Sequence, residues 1–434
     1  MLQHYLVLSW RSLRQHPALS ALIMLTLAIG MAACMTTLTL FQALSGDPIP
    51  HKSARLFNVQ LDSGSATDWR SGQPPTLQLT RFDGEALLRE ARGVHQVLMS
   101  GGGSYVTPTE APAQPPFYQR TRYASADFFA MFEAPFLHGQ GWGAEQDQAQ
   151  ARVAVISSDL NQRLFGGADS RGKTLRLGQH DFTISGVLQP WRPTPHYFDL
   201  TLGAYNQPAD IYIPLSTALA LRMSSAGNMH CWGDVVPDRR ALNAPCAWLQ
   251  YWVQLDTPEQ ARAYRQYLHD YSQHQREAGR FERPSNPRLW PLMQWLQVRE
   301  VVPVDVRLQL WLAFGFLLVC LANAVGLQLA KCLRRSGEIG VRRALGATRG
   351  QVFAQFLVES ASLGVAGGVL GLVLTWCGLA LVHMNPEPYA QLARIDTPML
   401  ATTLALSLLA SLLAGVLPAW RASQVAPALQ LKTQ

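Results

Sequence analysis

Charge is scarce in this chain: Asp, Glu, Lys and Arg make up 15% of 434 residues, and four long stretches hold none of them. Those stretches are 15–46, 308–330, 360–386 and 397–420. Each is at least as long as the ~20 residues a helix needs to cross a hydrocarbon core of ~30 Å. The lack of acids and bases at their centres argues against a proton- or ion-coupled carrier, whose sites need ionisable groups at depth. Asn323 is the main strongly polar side chain of the second stretch and reads as an interhelical hydrogen-bonding group; His383 sits at the end of the third. The enzyme signatures GxSxG and HExxH are missing, and His51, His138, His180, His196 and His230 show no metal-ligand spacing. No catalytic residue, metal site or cofactor is therefore assigned.

One stretch lies near the N-terminus and three crowd the C-terminus, so the fold class is an α-helical membrane protein with four transmembrane helices and a large mixed α/β domain in two subdomains. Lys and Arg collect on cytoplasmic flanks. Arg11 and Arg14 precede the first span, and Lys331, Arg334, Arg335, Arg342, Arg343 and Arg349 follow the second against Glu338 and Glu359; Arg421 and Lys432 end the chain. The expected layout is a cytoplasmic amphipathic helix over 1–17, spans at 18–44, 307–330, 359–383 and 397–420, an external domain at 45–306, a cytoplasmic loop at 331–358, a short external connector at 384–396 and a cytoplasmic tail at 421–434. Residues 45–307 carry 25 basic and 25 acidic residues, so the formal charge of +7 comes from membrane flanks. The pI near 9.2 then reflects topology rather than nucleic acid.

Cysteines are also few. Of six, Cys34, Cys320, Cys332 and Cys377 fall in or beside membrane runs, leaving Cys231 and Cys246 outside. Two cysteines in an oxidising compartment favour a bond between them.

In the external domain, period-two runs at 56–61, 174–177, 182–188 and 250–255 read as half-buried strands. Helices are expected at 83–91, 126–132, 157–165 and 258–277, the last opened by Thr257 and Pro258. Pro/Gly/Ser clusters at 62–76, 101–116 and 189–209 read as loops, with 192–200 on the surface and a subdomain boundary near 205–210. Trp290 and Trp295 read as juxtamembrane anchors. The sequence GADSRGKT (167–174) satisfies the P-loop pattern, yet the chemistry needs a strand before it and a helix after it. The flanks here read in the opposite order, so a tight turn entering a hairpin is expected.

Two regions carry a resemblance. SADFFAMFEAPFLHGQGW (125–142), RVAVISSDLNQRLFGGADSRGKTLRLGQHDFTISGVL (152–188) and ADIYIPLS (209–216) are similar to the periplasmic core domain of MacB-type permeases. GEIGVRRALGATRGQVFAQFLVES (337–360) resembles the cytoplasmic loop of the FtsX/MacB permease superfamily, and PAWRASQVAPALQL (418–431) resembles its usual ending. The resemblance implies a permease of the mechanotransmission ABC class in a bacterial inner membrane, a homodimer or a heterodimer with a related permease. ATP-driven motion of ATPase subunits would be passed to a periplasmic domain that expels cargo, with an adaptor and outer-membrane duct as further partners. MacB itself carries a fused ATPase domain, whereas this chain begins about 17 residues before its first span, so a separate ATPase subunit is expected. Alternatives within the superfamily are a lipoprotein-releasing permease and an FtsX-like transducer controlling a periplasmic hydrolase.

Within 331–358, Ile339, Val341, Leu345, Val352, Phe353 and Phe356 offer an apolar surface for the ATPase, Arg342 and Arg343 charge for an acidic partner, and Gly340 and Gly346 changes of chain direction. Glu338 lies toward one end. The alternative is that the basic residues only anchor helix ends at anionic lipid. In the third span, Gly364, Gly367, Gly368 and Gly371 form two overlapping small-xxx-small pairs that permit close helix approach.

Overall fold

The computed structural model describes Ser9, Ser12, Arg14, Gln15 and residues 17–67, 69–108, 114–234, 236–384 and 397–424. The rest of the expected leading helix, nearly all of the 384–396 connector and the tail from 425 lie outside the described residues. The chain divides into two compact units, 46–301 and the remainder.

The first unit is built on one mixed sheet in the order β13-β1-β12-β3-β4-β9-β6-β8-β5. Its centre is antiparallel: β1 (Leu56–Gln60), β12 (Cys246–Gln254), β3 (His95–Thr107) and β4 (Phe117–Ala124) pair in sequence, and β13 (Arg288–Pro291) closes one edge. β9 (Ile211–Pro214) joins β4 in parallel and leads to β6 (Val153–Ile156), β8 (His180–Leu188) and β5 (Phe136–Gly139). Alternation sends neighbouring residues into two cores, one per face. Phe57, Val59, Leu98, Tyr251 and Val253 enter one, and Leu56, Val97, Met99 and Trp252 enter the other. The expected boundary near 205–210 marks no break, because the chain there runs directly into β9, in the middle of the sheet.

The strand at 174–177 and the helix at Pro258–Glu277 fall where the pattern places them. In that helix Thr257 Oγ1 accepts from Gln260 N while the Gln260 side chain accepts from Thr257 N, and Ala261, Tyr264, Leu268 and Ser272 turn inward. β1 and β12 differ from expectation: every residue of each is buried, because both faces of the sheet are covered.

Three loop or anchor readings are corrected. Gly101, Gly102 and Gly103 continue β3 instead of starting a loop; the rings of Tyr123 and Tyr118 occupy the space where Cβ atoms at Gly102 and Gly103 would lie. The 192–200 segment is no surface loop. His196, Tyr197, Phe198 and Asp199 are all buried, Phe198 stacks on Trp191 with ring centres 5.8 Å apart, and Asp199 pairs with buried Arg122. Trp295 is buried in the same aromatic core and Trp290 Nε1 donates to Gln60 Oε1 at 2.7 Å, so both tryptophans hold the domain rather than a membrane surface.

Cys231 and Cys246 stand opposite each other in an antiparallel pair between β11 (His230–Cys231) and β12, with Cα atoms 4.0 Å apart, and are disulfide-bonded. The GADSRGKT segment follows a helix (Ser158–Phe165) and enters β7 (Thr174–Leu177), the reverse of a phosphate-binding loop. Its Gly172 N–H already donates to Ile184 O at 2.8 Å.

Among the described residues, the second unit holds four helices long and apolar enough to cross a membrane: Pro17–Ser45, Val304–Arg334, Arg349–His383 and Thr397–Ser423. The third packs against the first and fourth, and the second against the first.

A candidate coupling site at the ends of the membrane helices

The stretch 331–358 is mostly helix rather than loop. The second membrane helix runs on to Arg334, a short helix spans Ser336–Ala344, and the third membrane helix begins at Arg349. Leu, Arg, Ala, Gln and Glu favour helix there, against Gly337 and Gly340 inside the short helix, and the ends are well marked. Lys331 and Arg334 occupy the last turn of one helix, where cations suit the negative end of its dipole. Thr348 and Gln351 form a capping box at the start of the next. Gly346, at φ +103°, makes the turn between them; Gly340 turns nothing, being buried inside the short helix.

A buried ionic cluster pins this hairpin to the membrane helices. Glu359, 4% exposed, meets Lys331 Nζ at 2.6 Å and Arg335 Nη1 at 3.2 Å, and those cations are 3% and 7% exposed. Ser12 Oγ donates to Glu359 at 2.5 Å and accepts from Arg335 at 2.7 Å, while Lys331 also donates to Ser20 of the first helix at 3.0 Å. Ser360 Oγ donates to Gln328 Oε1 at 2.9 Å. The charges continue outward: Arg335 Nε meets Glu338 at 3.2 Å, and Glu338 pairs with Arg342 at 2.6 Å. A buried carboxylate held by two cations is rigid, since any separation strands a charge in low dielectric.

In the sequence, Lys331 and Arg335 have the position of membrane-flank charges. The signal that could have found the cluster is their i,i+4 spacing on one helix face, together with an acid at the very edge of the third uncharged run.

The expected contact residues divide into two sets. Ile339, Val352 and Phe356 are buried in a small core with Cys332, Ala419 and Ala422, and Phe353 packs against it. All four stabilise the hairpin, and the three buried ones offer no outward surface. Arg343 likewise turns inward, donating to Ser423 O at 3.2 Å in the last turn of the fourth helix. Exposed apolar side chains remain at Val341 (54%) and Leu345 (83%), flanking the Glu338–Arg342 pair.

Gly364, Gly367, Gly368 and Gly371 of the third helix work on two faces. A Cβ at Gly364 or Gly368 would run into Ser411 or Ser407 of the fourth helix; Gly367 and Gly371 sit against Leu27 and Met31 of the first. Ser407 Oγ donates to Gly364 O at 2.6 Å, a bond that needs this approach. Gly364→Leu and Gly368→Leu should therefore each lower stability by about 1–3 kcal/mol through overpacking. The check is thermal unfolding of the purified protein, with Gly315→Leu as control, because nothing lies near a Cβ there. Asn323 does not bond between these helices: it is exposed on the second helix, on the same side as Gly326, whose Cβ position is also open.

Comparison with known proteins agrees with this architecture. Residues 20–271 match the family model of the MacB-like periplasmic core domain, and residues 310–427 match that of the FtsX-like permease C-terminal domain. The chain is 25% identical over 367 residues to the macrolide export ATP-binding/permease protein MacB of Pasteurella multocida, covering 83% of this chain and 50% of that one. It is 24% identical over 431 residues to the pyoverdine export ATP-binding/permease protein PvdT of Pseudomonas savastanoi, covering 98% and 59%. It thus spans half to three-fifths of the length of these relatives. Against the ABC transporter permease YvrN of Bacillus subtilis it is 23% identical, covering 98% of each chain. Among solved structures, the periplasmic region of MacB from Actinobacillus actinomycetemcomitans superposes with a TM-score of 0.38 and 11% identity, over 60% of this chain and 98% of that one. With a MacB-like core domain over more than half its length and an FtsX-like region behind it, the chain belongs to the MacB/FtsX-type family of ABC transporter permeases.

Proposed function

We propose that this chain is the membrane part of an ABC export machine of the mechanotransmission type. Both termini and the 331–358 hairpin face the cytoplasm, as the distribution of Lys and Arg favours. A nucleotide-binding partner grips the hairpin, and its ATP-driven movement is carried through the membrane helices to the external domain, which expels cargo. ATP is bound and hydrolysed by that partner; in the described residues the P-loop pattern sits in a helix-to-strand turn. The machine contains two permeases. The uncovered amide of Asn323 beside an open Gly326 favours a helix contact there, since an unpaired amide facing hydrocarbon is costly.

One observation carries the reading. The hairpin exposes Val341 and Leu345 at its surface while its inner side is wired to three membrane helices through Glu359. A lipid anchor would need neither the rigid wiring nor apolar side chains framed by a Glu–Arg pair. Replacing both by Asp should leave the protein folded and inserted but abolish permease-stimulated ATP turnover by the partner. That comparison uses the complex co-expressed with its ATPase and reconstituted in lipid. Unchanged stimulation would reduce the hairpin to a membrane anchor.

A further inference from the structure

The disulfide closes more than a loop. Trp232 directly follows Cys231, and Ala244 and Pro245 directly precede Cys246; Trp232 N donates to Pro245 O at 3.0 Å across the pair. Trp232, Ala244 and Pro245 line a cavity of about 230 Å³ together with Ser63, Thr80, Phe82, Leu242, Asn243 and Arg280. Arg280 is fixed from two sides: its guanidinium lies 3.8 Å from the centre of the Phe82 ring, and it is ion-paired at 2.7 Å to Asp83, whose side chain is fully buried.

We propose that this cavity binds a single aromatic ring carrying one neutral hydrogen-bonding substituent. Size sets the first limit: an apolar cavity of about 150 Å³ already takes benzene, so 230 Å³ holds one substituted ring and excludes a large polycyclic molecule. The walls set the second. An indole and a stacked guanidinium favour a π-face over an aliphatic chain. Charge sets the third. Arg280 is already neutralised by Asp83, so no carboxylate is required of the ligand, and the exposed amide of Asn243 in the lining is suited to a hydroxyl or amide. The Cys231–Cys246 bond fixes the spacing of the Trp232 wall from the 242–245 wall, so affinity depends on the bond being intact. The ring belongs to a free small aromatic or to a Tyr-like side chain of a partner; the recognition is shared.

The test uses the full-length protein in lipid nanodiscs, with empty discs subtracted, and two probes: p-cresol and N-acetyl-L-tyrosinamide. Binding is read by saturation-transfer NMR and titrated to a dissociation constant. Saturable binding of p-cresol alone identifies a free small aromatic, and binding of the capped residue as well identifies a side chain. Trp232→Ala should weaken either probe about tenfold or more. The Cys231→Ser/Cys246→Ser pair should weaken it to a similar degree, with Leu242→Glu at the exposed rim as a variant that leaves the walls' backbone untouched. Unfolding curves for all three variants show whether the domain is intact. No saturable transfer from either probe, or equal affinity in wild type, Trp232→Ala and Leu242→Glu, overturns the proposal. ATPase stimulation plays no part in these measurements, so their outcome is separate from that of the export reading.

Discussion

Glu359→Gln is expected to destabilise the membrane unit by about 3–5 kcal/mol, the usual cost of leaving a buried charge without its partner. The amide keeps the size of the side chain, so packing alone cannot explain a loss. What disappears is the negative charge that faces Lys331 at 2.6 Å and Arg335 at 3.2 Å, two cations with almost no access to water. Arg335 retains Glu338, but Lys331 is left with Ser20. The expected readout is a large drop in thermal unfolding temperature of the purified protein, with reduced yield in the membrane. A triple change, Lys331→Met, Arg335→Met and Glu359→Leu, separates charge from shape. Replacing a whole buried ion cluster by apolar groups of similar volume is often neutral, so this variant should recover much of the stability. It should not recover partner stimulation, because the ladder to Glu338 and Arg342 is cut at its root. A Glu359→Gln protein that melts like wild type would show that the cluster holds nothing together.

How far the sequence speaks depends on whether a signal is local. The four spans are legible because an uncharged run longer than a bilayer admits few alternatives, and the helix at Pro258–Glu277 because its cap and its inward residues are close in sequence. The disulfide is legible from compartment alone. Burial decided by distant partners is not. The RPTPHYFDL segment has the composition of a surface loop, yet rings from the Phe128–Phe132 helix and β12 converge on it, with Phe132 and Phe198 centred 5.2 Å apart. Trp290 and Trp295 have the position of membrane anchors, but Gln60 and the second core lie beside them. In the 331–358 hairpin, burial divides the expected contact residues between an inner core and an exposed surface, which a loop reading does not show. Helical periodicity across 331–358 would have separated Ile339 from Val341 and Leu345, but reading the stretch as a loop discarded that period.

The last expected result concerns acid. His196 is buried beside Phe198, its ring centre 5.1 Å away, and its Nε2 has no partner among the described residues. Burial pulls its pKa down to about 4, helped by the charges of Arg122, Arg192 and Arg120 and opposed by Asp199. An unfolded chain restores the ordinary value near 6.5. Below that value the unfolded state binds a proton that the folded state refuses, so falling pH favours unfolding. Nothing is lost above about pH 6.5; the loss grows at ~1.4 kcal/mol per pH unit and ends near the folded pKa of about 4, at ~3 kcal/mol in all. At pH 5 the external domain should therefore be about 2 kcal/mol less stable through this residue alone. Carboxylates titrate in the same range, so the informative quantity is a difference between proteins. His196→Gln, which cannot take up a proton, should show a flatter fall in stability from pH 7 to pH 5 than wild type, as followed by denaturant unfolding of the full chain with tryptophan fluorescence. Parallel curves for the two proteins would mean that His196 accepts a proton in the folded state. The aromatic core around Phe198 would then be open to water.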